Sequence, residues 1–336
     1  MSQLRKTKTL FPTQGGAVMI KALATNRALV ALIGVALVFL LGAALIPGFA
    51  SLFSIRAMLV LAALLAIAAL GQTLVMILGG IDLSIPFVIG FANVVFASLY
   101  GDGMSPLLAG IIVLASAGLI GAFSGALSAA LSIHPLIVTL GVGTMVQAGV
   151  QIWTRGLPTG SAPAFINDFV SLGGSIGPLP FPWLIPFTIL LTLGTVFVLR
   201  RTIYGRKLYA LGSNIKAAEL ALIRPVAIWA ITFGLSAMFA ALAGILLLGF
   251  TGSSSATVGT PYLFQTVSAV VIGGTALIGG RGGFVGTVAG AIMLMELRTF
   301  LIGMGFSDAM VQSSLGILIL LLVAAYGRDR HIRNLI

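Results

Sequence analysis

Ten apolar stretches, parted by short polar or Gly/Pro-rich breaks, organise the chain. They fall near 28–46, 57–78, 84–100, 107–131, 135–153, 183–200, 226–250, 262–279, 283–302 and 308–326. A helix crossing a bilayer needs about 20 mostly apolar residues. The breaks carry turn chemistry: Pro47-Gly48, Gly101-Asp102-Gly103, Pro135, the run from Pro158 to Pro182, Arg224-Pro225 and the run from Gly279 to Gly283. Around 79–86 and 278–284 the apolar run scarcely stops, and the divisions there stay open. The pattern predicts an all-α polytopic membrane protein with about ten transmembrane helices.

Composition removes the soluble alternative. Of 336 residues, 59% are hydrophobic and 7% charged, where a soluble domain carries roughly a quarter charged. Forty-three glycines suit close approach of membrane helices. With no cysteine, disulfides and thiolate metal sites are excluded. His134 and His331 are too far apart in sequence for a histidine-rich metal cluster.

The net charge of +11 would suit nucleic acid, but its distribution argues for membrane orientation instead. With the N-terminus inside and spans alternating, the inside segments hold fifteen Lys and Arg and the outside segments only Arg56 and Arg155; Arg298 lies within the ninth stretch. Basic residues concentrate on the cytoplasmic side. Both termini are therefore expected to be cytoplasmic, as a basic tail over 1–27 and a second over 328–336. Between them, 28–327 forms one membrane domain with a basic cytoplasmic segment at 200–225. By pattern, the first apolar run is a span and not a cleavable signal.

No phosphate-cradling loop ending in Gly-Lys-Ser/Thr exists, because the residues before the five lysines are Arg5, Thr7, Ile20, Arg206 and Ile215. If ATP drives this protein, another chain binds it, and no cofactor is expected here. Gly173-Gly174-Ser175-Ile176-Gly177 has the form of a hydrolase elbow but lies in a short Gly/Pro loop expected outside the membrane, with both histidines on the other side. It reads as a turn.

Polar residues inside apolar stretches are the remaining candidates. Gln72-Thr73 is followed by Gly79-Gly80-Ile81-Asp82-Leu83-Ser84-Ile85-Pro86. This is either an interrupted helix lining a solute path or a turn in which Asp82 caps the next helix. Asn93, Gln147, Gln151 and Gln265 either hydrogen-bond a solute or bridge helices. Glu296 and Arg298, two apart, do not face each other on a helix, so each needs a partner elsewhere. Gly121, Ser124, Gly125, Ser128 and Ser132, and Gly282, Gly286 and Gly290, form small-residue seams expected to pack within the chain. In the basic segment, Ser213 or Asn214 can cap a helix of about two turns that ends before Pro225. On it Ile215, Ala218 and Leu222 share one face, and Lys216 and Glu219 are spaced to pair.

These segments resemble the ribose/xylose/arabinose-type permeases of bacterial ABC importers. The resemblance rests on Gly71-Gln72-Thr73 with Gly79-Gly80-Ile81-Asp82-Leu83-Ser84. It extends to Gly205-Arg206-Lys207-Leu208-Tyr209-Ala210-Leu211-Gly212-Ser213-Asn214 with Ala217-Ala218, and to Val270-Val271-Ile272-Gly273-Gly274-Thr275 with Gly279-Gly280. Two departures stand out. The family usually has a small residue, often Gly, at the place of Leu222, and Val-Gly at the place of Ile85-Pro86. The resemblance implies a permease in the bacterial inner membrane, among lipid, with ten spans and a second permease subunit beside it. It also implies a cytoplasmic ATPase pair and a periplasmic solute-binding protein. Gly205, Gly212, Asn214, Ala217, Ala218, Glu219 and Leu222 would then couple to the ATPase, and Gln72, Asp82, Asn93, Gln147 and Gln265 would line the path of a small polar solute, a monosaccharide or polyol. The rival readings are an ion-coupled secondary transporter, for which Asp82 and Glu296 are the available acids, and a membrane-embedded enzyme.

Overall fold

A computed structural model describes residues 27–326, which hold thirteen helices. These are α1 (Arg27–Leu45), α2 (Leu52–Leu78), α3 (Ile85–Gly101), α4 (Pro106–Leu131), α5 (Pro135–Trp153), α6 (Ala164–Val170), α7 (Leu184–Arg201), α8 (Ile203–Ser213), α9 (Ile215–Leu220), α10 (Pro225–Thr251), α11 (Tyr262–Ile272), α12 (Phe284–Gly303) and α13 (Asp308–Tyr326). The basic tails expected at 1–27 and 328–336 lie outside the described residues, except for Arg27.

The helices start where local chemistry starts them. Ser51 and Ser105 accept bonds from Ser54 N and Leu108 N at 3.3 and 3.4 Å, capping α2 and α4. Pro106, Pro135 and Pro225 occupy first-turn positions, where a missing N–H costs nothing. Pro86 sits in the first turn of α3 for the same reason, so the departure at Ile85-Pro86 is compatible with a helix start.

The centre is built on α2 and α10. Over its most apolar window α2 is 94% buried, and α10 is 72% buried. Both are apolar all round, as a helix enclosed by others must be. The glycine seams let backbones meet within the chain. On α4, a Cβ at Gly125 would collide with Trp229 on α10 and one at Gly121 with Phe233, while Gly286 and Gly290 on α12 lie directly against Gly273 and Ala269.

Among the described residues, six helices are long and apolar enough to cross a membrane: α2, α4, α5, α7, α10 and α12. The stretch at 262–279 does not form a full span. Its helix stops at Ile272 after 11 residues, about 17 Å, because Gly273 and Gly274 end it and 273–283 forms a loop instead.

Candidate functional site

The end of the bundle that holds α8 and α9 is here termed the lower end. There α2 stops at Gly79, whose positive φ of 94° lets Gly79 N and Gly80 N bond back to Met76 O and Val75 O. The chain then folds back along α2. Asp82 N donates to Gln72 Oε1 at 3.3 Å, and Gln72 lies six residues, about 9 Å, inside the end of α2. Asp82 is buried and fully engaged. One carboxylate oxygen accepts from Ser84 N at 2.9 Å and Ser84 Oγ at 2.6 Å, the other from Ser236 Oγ on α10 at 2.7 Å. Leu83 N donates to Thr139 Oγ1 on α5 at 3.0 Å. Six non-helical residues therefore tie α2, α3, α5 and α10 together below the surface, where irregular backbone needs protein partners.

Beside this turn lies a junction of three glycine segments. A Cβ on Gly212 of α8 would collide with Ile77 O and lie 2.7 Å from Gly280 N. Gly280 N itself donates to Ile77 O at 2.8 Å. A Cβ on Gly279 would lie 2.8 Å from Gly212 O and 2.9 Å from Gly79 Cα. Tyr209 donates its hydroxyl to Gly282 O at 2.7 Å, and Tyr204 pairs with Thr232 on α10 at 3.0 Å. Burial pushes Tyr204 up to about 12, the Thr232 bond opposing it, and burial also raises Tyr209 against the pull of Arg200. Both hydroxyls therefore keep their protons at neutral pH. At the start of α8, Gly205 lets the helix cross Leu199 at the end of α7. The end of α8 is thus lodged between α2 and the 273–283 loop.

From this anchor α9 projects outward. Asn214 Oδ1 accepts from Ala217 N at 3.0 Å, which makes Asn214, of the two residues expected, the cap. Ala218 is buried, whereas Ala217 and Glu219 are exposed. The shared face of Ile215, Ala218 and Leu222 does not form, because α9 ends at Leu220 and Leu222 turns away with φ of 59°. Leu222 N bonds to Glu219 O and Ile223 N to Ala218 O, a left-handed helix stop that glycine usually supplies. The small residue expected at Leu222 is explained by this backbone. Leu220 and Leu222 are 87% and 91% exposed. Lys216 and Glu219 do not pair; among the described residues the ion pair is Arg298–Asp308 at 3.3 Å.

At the other end, residues 252–261 run back along α3. Asn93, buried on α3, donates to Gly244 O at 3.1 Å and accepts from Ser255 N at 2.8 Å. Gln147 on α5 reaches Ala256 O at 3.5 Å. Gln265 is half-buried on α11 and makes no hydrogen bond among the described residues. The five proposed path residues therefore divide into Gln72 with Asp82, Asn93 with Gln147 on the 252–261 segment, and Gln265 apart. Replacing Asn93 with alanine strips Ser255 N of its acceptor and is expected to cost about 1–3 kcal/mol, read as a lower unfolding temperature in detergent.

Glu296 is buried with Oε2 unpartnered. No group of three or more His, Cys, Asp or Glu positioned for a metal occurs among the described residues. Ser175 lies exposed in the loop just before the Ile176–Leu179 bridge. Sequence reasoning missed α8 itself, whose signal was the spacing of Gly205, Leu208 and Leu211, all buried on one face. It also missed Tyr209 and Ser236, for which no local signal exists.

Comparison with known proteins places the chain. The family model described as branched-chain amino acid transport system / permease component matches residues 54–325. The chain is 34% identical over 260 residues to the ribose import permease protein RbsC of Escherichia coli K12, covering 77% of this chain and 81% of the relative. It is 32% identical over 284 residues to the autoinducer 2 import system permease protein LsrC of Shigella flexneri, covering 84% and 82%. No solved structure matches.

Proposed function

We propose, from the premise that this chain belongs to the permease-component family of branched-chain amino acid transport systems, a specific account of how it works. It is an import permease of the bacterial inner membrane and not an enzyme. In our reading it passes a small polar solute, a sugar or polyol like those named for its relatives, driven by ATP bound on a separate ATPase subunit. A periplasmic binding protein delivers the solute, and a second permease subunit, identical or related, stands beside the first. The chain makes ten passes with both termini in the cytoplasm, the eighth pass being the 252–261 segment followed by α11. The lower end is then cytoplasmic. No observation favours ion coupling.

One observation carries this reading. Two leucines, Leu220 at the end of α9 and Leu222 in the turn after it, stand almost wholly in solvent, at the end of an arm anchored between α2 and the 273–283 loop. Leaving a leucine exposed forgoes about 1.5–3 kcal/mol of burial. Apolar tips on an otherwise polar, basic surface are what a cytoplasmic ATPase grips. Closure of the ATPases on ATP moves α9 and α8, and the glycine junction hands that motion to α2 and the α11–α12 hairpin, alternating access.

The test is the pair Leu220→Asp and Leu222→Asp. Both side chains touch little of their own chain, so folding should change by no more than about 0.5 kcal/mol. The ATPase should no longer co-purify, and ATP-driven uptake should stop. Retained ATPase binding and uptake in the double variant would refute the docking role.

A further inference from the structure

The exposed sides of the long helices are largely apolar. Leu119 and Phe123 on α4, and Leu190 and Leu193 on α7, stand out as a lipid-facing surface requires. One face differs. On α5, Thr144, Gln147 and Gln151 recur at helical spacing, with Thr144 and Gln151 exposed and Gln147 half-buried. Against this helix lies the hydroxyl-rich segment Thr251-Gly252-Ser253-Ser254-Ser255-Ala256-Thr257-Val258-Gly259-Thr260, in which Ser253, Thr257 and Thr260 are exposed.

The depth of this segment follows from its contacts. Ser255 N is held by Asn93, eight residues in from the end of α3, or about 12 Å. Gly259 lies directly against Pro86 O, about 22 Å from that end. Thr257 and Thr260 therefore sit within the span of α3, inside a hydrocarbon core about 30 Å thick. Among the described residues, the hydroxyls of Ser253 and Thr260 have no partner. Amides, hydroxyls and irregular backbone do not face lipid at that depth. They face protein, water or a polar guest, and a wall of unpaired hydroxyls suits water or a guest.

We infer that α5 and the 251–260 segment form one wall of the solute path. Neither 136–153 nor 251–262 contains Asp, Glu, Lys or Arg. A zwitterionic amino acid would bring two charges to a wall with none to meet them, whereas hydroxyls and amides match a sugar's mixed donors and acceptors. Asn93 stands behind this wall and positions it. The inference rests on the importer reading.

The chain has no native cysteine, so single replacements report only their own position. The permease, reconstituted in liposomes with its ATPase and binding protein, is treated with a charged, membrane-impermeant methanethiosulfonate. Thr257→Cys and Thr260→Cys should react at least about tenfold faster than Leu190→Cys, and ATP should change their rates. Thr257→Val should lower uptake of the neutral sugar about tenfold, the scale of one lost hydrogen bond to the guest, with ATPase association unchanged. Reactivity at 257 and 260 no higher than at 190, in a complex that still imports solute, would overturn the assignment. So would uptake of an amino acid in preference to a sugar. Failure of the importer reading shows itself separately, as a wild-type complex without ATP-driven uptake.

Discussion

Asp82→Ala is expected to destabilise the protein by about 3–5 kcal/mol. The carboxylate accepts from Ser84 N, Ser84 Oγ and Ser236 Oγ, all in a buried turn. Its removal leaves three donors without an acceptor, each worth about 1–3 kcal/mol when stranded. Interhelical bonds in membranes run lower, averaging about 0.6 kcal/mol, which places the sum toward the smaller end. Even so, that is a large share of a typical stability of about 5–15 kcal/mol. Thermal unfolding followed by size-exclusion chromatography in detergent measures it. Asp82→Asn separates structure from transport chemistry. An amide keeps one acceptor oxygen for Ser84 and offers a donor to Ser236 Oγ, so it should cost about 1 kcal/mol and leave uptake near normal. A well-folded Asp82→Asn that cannot transport would show the carboxylate acting on solute or ion, and the turn-organising role would fall.

Gly212→Ala is expected to abolish ATP-driven uptake while leaving the protein in the membrane. On helix propensity alone the change should help by about 1 kcal/mol. The contacts decide otherwise, because the added methyl would collide with Ile77 O and come within 2.7 Å of Gly280 N, against roughly 3.5 Å for a relaxed contact. Both obstacles are backbone and cannot rotate aside. α8 must lift from α2, breaking the alignment of Gly280 N with Ile77 O and of Tyr209 with Gly282 O. Since α9 keeps its exposed leucines, ATP hydrolysis by the bound partner should persist, no longer linked to transport. Gly194→Ala on α7 is the control: a Cβ there meets nothing within 4 Å, so it should be neutral or slightly stabilising. The measurement is solute imported per ATP hydrolysed. A normal ratio in Gly212→Ala would remove the junction from the coupling route.

The helices were legible where the signal is local. Nine of the ten apolar stretches become helices over nearly their full length, because apolar length and Gly/Pro breaks act through neighbours in sequence. Asn214 was readable as a cap for the same reason, its partner being Ala217 three residues on. The seams at Gly121, Gly125, Gly286 and Gly290 were readable as packing, though not their partners. Where glycine served a distant contact, the local reading failed. Gly205 and Gly212 lie inside α8, a helix that the reading of the basic segment did not include. Leu222 continues an apparent helical face on paper, yet adopts a left-handed stop because Ile223 N reaches back to Ala218 O.

Length, hydropathy and the distribution of Lys and Arg were enough to specify a helical membrane protein with a basic segment between α7 and α10, since each is a property of consecutive residues in contact with lipid or water. Only the folded chain decided that Gly79, Gly212 and Gly279 share one contact, that Asp82 holds a turn folded back along α2, and that 252–261 lies along α3. Those outcomes depend on which backbones approach closely enough to exclude a side chain. Such approaches join residues scores of positions apart, and one-dimensional periodicity carries no trace of them.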